Sequence, residues 1–151
     1  MRMRARDRQA ELLASAARGT IAAMAMTGMR AVTTGLGLVV RAPPARIAQH
    51  GVPRLVEKVP AERRDDVVEL AHWGYGTAAG AAFGALPASV RRHLWAGPAY
   101  GIAIWLFFEV ALAPLLLGAE HTRARRLSER LAVAADHVLY GLVVAGRPRR
   151  L

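Results

Sequence analysis

Long apolar stretches alternate with short basic ones along this chain. Four apolar windows stand out. The first, 19–40, carries Arg30 as its only charge; the second, 71–90, has His72 near its start and no formal charge. The third, 94–118, contains Glu109 alone, and the fourth, 127–146, is the weakest, admitting Glu129, Arg130, Asp136 and His137. A hydrocarbon core of about 30 Å needs roughly 20 residues of helix, and each window comes close to that length. The third window, GIAIWLFFEVALAPLLLG, leaves no polar face for water. A soluble bundle of helices that are apolar all round is the alternative, but a chain of 151 residues rarely needs so many long apolar runs. Trp73, Tyr75, Trp95 and Tyr100 fall near window ends, where amphipathic rings favour the headgroup level. The pattern predicts an all-α fold: an integral membrane four-helix bundle with the bilayer as its solvent.

The remaining segments follow from that frame. Residues 1–18 read as an Arg-rich amphipathic helix with Leu12 and Leu13 available to rest on the membrane surface. The run that follows exceeds the roughly 7–15 apolar residues of a signal peptide, so a retained helix is expected. Pro43, Pro44, Pro53 and Pro60 cut the long loop 41–70 into short pieces. Its Ile47, Val52, Leu55 and Val56 suit either an interfacial helical turn or an ordinary solvated connector. Residues 147–151 form a basic tail.

Composition changes this picture in two respects. Lys+Arg 21 against Asp+Glu 11 gives a net charge of +10 and a pI near 11.5, which invites a nucleic-acid reading. The cations occur in blocks separated by apolar runs, however, as at membrane flanks, so a lipid bilayer is the expected partner and no nucleic acid is. With no cysteine, disulfides, zinc fingers and thiol chemistry are excluded. The flanking cations divide evenly between the two sides of the membrane. The Arg residues before the first window and the tight Arg91-Arg92 turn favour cytoplasmic N- and C-termini.

The second and fourth windows share H-x-x-Y-G: His72-Trp73-Gly74-Tyr75-Gly76 and His137-Val138-Leu139-Tyr140-Gly141. The first and third follow Gly19 and Gly97 and place one charge at nearly the same depth. A duplicated helical hairpin explains both, giving a 2+2 parallel repeat. Helices in lipid pack through small residues at four-residue spacing. Gly76, Gly80 and Gly84 form such a row in the second window, Gly141 and Ala145 in the fourth, Gly97 and Gly101 in the third, and Gly19, Ala23, Thr27, Ala31 and Gly35 in the first.

Two sets of residues carry candidate chemistry. A charged residue at a helix centre costs about 2.5–3.5 kcal/mol to insert. Arg30 and Glu109, at matching depth, are therefore expected to form an intramembrane ion pair; the alternative is a protonated Glu109 and a snorkelling Arg30. His72 and His137 fall at similar depth in parallel helices, with Tyr75 and Tyr140 one turn further in. As a pair they suit proton relay or ligation of a haem or metal. Each imidazole satisfied by a carbonyl or interfacial water is the plainer reading, and no cofactor or metal is expected. Nucleotide, hydrolase and zinc-protease signatures are missing, and Asp65-Asp66, beside Arg63 and Arg64, reads as a solvated turn.

The landmarks GTIAAMAMTGMR, APPARIA, AHWGYGTAAGAAFG, GPAYGIAIWLFFEVALAPLLLG and DHVLYGLVVAG together resemble the small YagU-like bacterial inner-membrane proteins over about 19–146. The resemblance implies a bacterial inner-membrane address and four helices, and carries over no catalytic residue. The function expected is non-catalytic: a structural, stress-related or permeation role in a multi-pass protein, as a homo-oligomer or with a membrane partner. A bis-His cofactor protein and a small lipid-acting enzyme are the alternatives.

Overall fold

The computed structural model describes residues 5–37, 52–117 and 127–146, and they contain no strand. Four long helical elements dominate. Helix α1 is Ala5–Gly35. The short α2, Pro53–Val56, and a 3₁₀ turn, Ala61–Arg63, precede α3, Arg64–Ala85. After α4, Ala88–Arg91, comes α5, Ala96–Phe107. It runs through a π-helical stretch, Phe108–Leu112, into α6, Ala113–Leu117. Helix α7 is Leu127–Ala145.

Several boundaries differ from the hydropathy windows, for local reasons. The segment expected as a separate amphipathic helix is continuous with the first window, as far as it is described, because nothing between Ala5 and Gly35 breaks the helix. The chain then leaves through Gly37 in the left-handed region, φ +69. Helix α3 starts at Arg64, inside the expected loop, with Asp65 and Asp66 in its first turn, where carboxylates favour the helix dipole. It stops at Ala85, before Leu86-Pro87, since the residue preceding a proline leaves the α region. Pro114 cannot donate to Val110 and crowds its carbonyl, and the turn before it opens into the π-helix.

The helices pair as two hairpins, α1 with α3 and α5 with α7, and α1 against α7 joins them. Each hairpin closes on small residues. A methyl group on Gly19 would collide with Gly76 O and the Gly80 Cα, and one on Gly84 would lie 2.8 Å from Ser15 Cβ. In the second hairpin a methyl on Gly97 would meet Gly141 O at 2.5 Å and Ala145 Cβ at 2.7 Å, and Gly101 is pressed against His137 O. Backbones this close gain van der Waals contact and weak Cα–H···O bonds. The seam on α1 runs through Ser15, Gly19 and Ala23; the expected continuation through Ala31 and Gly35 faces outward, and nothing lies within 4 Å of a methyl on Gly35.

Tyrosines of the second hairpin donate to α3 carbonyls of the first: Tyr140 to Gly76 O at 2.5 Å and Tyr100 to Ala79 O at 2.7 Å. Phe83 packs edge-on against Tyr100, and Ala22, Met26, Ala96 and Val144 complete this core. At the end of the bundle where α3 and α7 terminate, Glu11 Oε1 receives Arg18 at 3.1 Å and Arg91 at 2.8 Å. Arg18 also donates to Val144 O at 2.8 Å, and Arg91 to Leu86 O at 3.0 Å, so an arginine covers each helix C-terminus.

The bundle's inside and outside are unusual. Ser15, Arg30, Thr33, Glu109, Glu129 and Asp136 are buried, while Leu13, Ile21, Val32, Leu36, Leu106, Phe107, Val110, Leu115 and Leu142 face outward. One helix among the described residues, Ala96–Leu115, is long and apolar enough to cross a membrane, with mean hydropathy 1.6.

Candidate functional site

Near the other end of the hairpins the helices diverge around a cavity of about 500 Å³. Equivalent faces of α3 and α7 line it. On α3 these are Val68, Ala71, His72 and Tyr75; on α7 they are Val133, Asp136, His137 and Tyr140. Both sets follow i, i+3, i+4, i+7, the stripe that a helix turns toward one neighbour. Met26 and Arg30 enter from α1, Ile104 from α5, and Phe108 and Leu112 from the π-helical stretch, while Val52, Val56 and Val59 close the side near α2.

Arg30, though buried, is engaged through one nitrogen. Its Nη2 lies within hydrogen-bonding distance of Glu69 Oε1 at 2.9 Å and Oε2 at 3.2 Å, of Thr27 Oγ1 at 2.9 Å and of His72 Nδ1 at 3.3 Å, and its two N–H bonds are shared among them. Thr27 donates in turn to Glu69 and accepts from Trp73 Nε1 at 3.3 Å. His137 Nδ1 lies 2.7 Å from Val133 O. A carbonyl only accepts, so this nitrogen carries the proton.

The carboxylate that meets Arg30 is thus Glu69, not the expected Glu109, which is buried in the π-helical stretch. Matching depth along two helices does not fix which way each side chain points. Glu69 lies on the helix directly packed against α1. Of the residues singled out in the sequence, Arg30, His72, Tyr75, His137, Tyr140 and Gly76 all border the cavity. Gly80, Gly84 and Gly141 instead lie in the seams.

Sequence reasoning missed Asp136. Its neighbour His137 suggests that it faces elsewhere, yet both border the cavity, because a stripe of this kind includes adjacent positions. Asp136 is 4% exposed, and its Oδ1 has no hydrogen-bond partner among the described residues. No group of three or more His, Asp or Glu among those residues is placed to hold a metal ion.

The comparisons with known proteins add no further constraint: no family model, curated protein or solved structure matches the chain.

Proposed function

We propose that this is a multi-pass membrane protein of the YagU-like kind, set in a bacterial inner membrane as two tandem helical hairpins. Its role is non-catalytic, structural or in permeation. The observation that carries this reading is the exchange of inside and outside. Glycines, alanines, Ser15, Arg30 and Glu109 sit in the contacts beside a few larger groups such as Phe83 and Val144, while many leucines and Ile21, Val32, Phe107 and Val110 face outward. Water penalises such an exterior. Hydrocarbon favours it, because association there depends on close packing and polar contacts.

Matched contacts support the repeat. Gly19 meets Gly76 as Gly97 meets Gly141, and the His–Tyr stripes of α3 and α7 face one cavity. The basic cluster of Arg18 and Arg91 on Glu11 supports an end turned to the cytoplasm, with both termini there.

The absence of native cysteine makes the test direct. The chain should stay with membranes through alkaline carbonate. Single cysteines at the exposed Gln9 and Arg92 should be shielded together from an impermeant reagent in intact cells, and one at Glu62 should react. A monomer dissolved in buffer without detergent would overturn the proposal.

A bis-His cofactor role is the second reading. Both imidazoles border one cavity, and His137 makes through Nδ1 the outer hydrogen bond typical of a ligating histidine. Haem added to the purified protein should then give a Soret band that His72→Ala and His137→Ala abolish; no band counts against it.

A further inference from the structure

One carboxylate bordering the cavity has an oxygen that no hydrogen bond among the described residues satisfies. Arg30 stands near two carboxylates and contacts only one of them, Glu69. That pair is internally neutral. Asp136 remains, buried, bordering the cavity, and with Oδ1 unpartnered among the described residues. A buried carboxylate oxygen without a donor is destabilising, and the chain retains it at a position where the matching residue of α3 is Ala71.

We propose that the cavity binds a small organic monocation: an apolar body bearing one protonated amine, whose N–H donates to Asp136. The remaining walls fit the body. Val133, Ile104 and Leu112 supply apolar surface, and Tyr75, Phe108 and Tyr140 supply rings that attract a cation. An anion would find Arg30 already neutralised and Asp136 opposing it. A bare metal cation needs several oxygen ligands, which these walls do not assemble.

This inference deepens the proposed non-catalytic role and is tested apart from it. Three probes share one cage: adamantan-1-amine, adamantan-1-ol and adamantane-1-carboxylate. Calorimetry on the full chain in detergent should show saturable binding of the amine, about tenfold tighter than the alcohol, and none of the carboxylate. Asp136→Asn keeps the size and an acceptor but removes the charge. It should weaken the amine about tenfold and change the alcohol by less than about threefold, with the melting temperature measured in parallel to show that the variant folds. Val133→Trp should block amine and alcohol alike by filling the cavity. Equal affinity for amine and alcohol, a preference for the carboxylate, or unchanged amine binding in Asp136→Asn would each overturn the inference. A detergent-dependent chain that binds none of the three overturns it and leaves the membrane reading standing. Amine binding by a chain that dissolves in plain buffer supports the cavity while removing the membrane.

Discussion

Hairpin one (α1 with α3) and hairpin two (α5 with α7) place small residues at matching points and then diverge in chemistry. The first is tied together by polar groups: Arg30 with Glu69, Thr27 with Trp73, and the Thr20 and Thr77 hydroxyls 2.7 Å apart. The second relies on apolar length, and Ala96–Leu115 reaches spanning hydropathy by itself. A buried charge needs a partner to neutralise it. Hairpin one supplies that partner internally, from Glu69 just before the apolar run of α3. The helix that carries the charge is thus stabilised by its own hairpin neighbour, and Arg30 belongs to that pairing more than to any link between the hairpins.

The glycine seams offer the strongest way to break the comparison. Gly80→Leu in hairpin one and Gly101→Leu in hairpin two should each cost about 3 kcal/mol or more. Detergent-stable monodisperse protein should be lost in both cases, as read by fluorescence-detected gel filtration. Gly28→Leu, where nothing lies within 4 Å of an added methyl, should behave as wild type. Equal tolerance at all three positions would refute the seams.

Next in size is the ion pair. Glu69→Ala leaves Arg30 buried without its carboxylate and should cost about 2 kcal/mol, below the 3–5 of a fully buried pair, because the Glu69 side chain is 29% exposed. Arg30→Glu combined with Glu69→Arg should regain much of what either reversal loses in melting temperature. Arg30→Glu with Glu109→Arg should not. Rescue by the second combination alone would move the charge partnership between the hairpins.

Smaller effects are expected at the joint between them. Tyr140→Phe and Tyr100→Phe each remove one hydrogen bond to an α3 carbonyl and should cost about 1 kcal/mol, lowering the melting temperature without altering the seams.

The all-helical class and the glycine and His–Tyr landmarks were legible because they rest on spacing, which a helix preserves. Of the residues bordering the cavity, His72, Tyr75, His137 and Tyr140 share that spacing. What escaped was what hydropathy discards. Arg64, Asp65, Asp66 and Glu69 lower a window average, so the start of α3 read as loop although acids there favour a helix. Glu69, three residues before His72 and on the same helical side, falls just outside the apolar window, so matching depth points Arg30 to Glu109 instead. Asp136 escaped because it directly precedes His137 and so points elsewhere than the imidazole, yet consecutive residues differ by only about 100° around a helix and can border one cavity.

The clasp on Glu11 links parts of the chain that a ribosome delivers at different times. Arg91 arrives between the hairpins, and Val144, the carbonyl that Arg18 holds, arrives later, on α7. The first turns of α1 therefore serve as a latch that can shut only after α7 is made, and trimming through Glu11 would remove the carboxylate that ties the arginines of the two helix ends together.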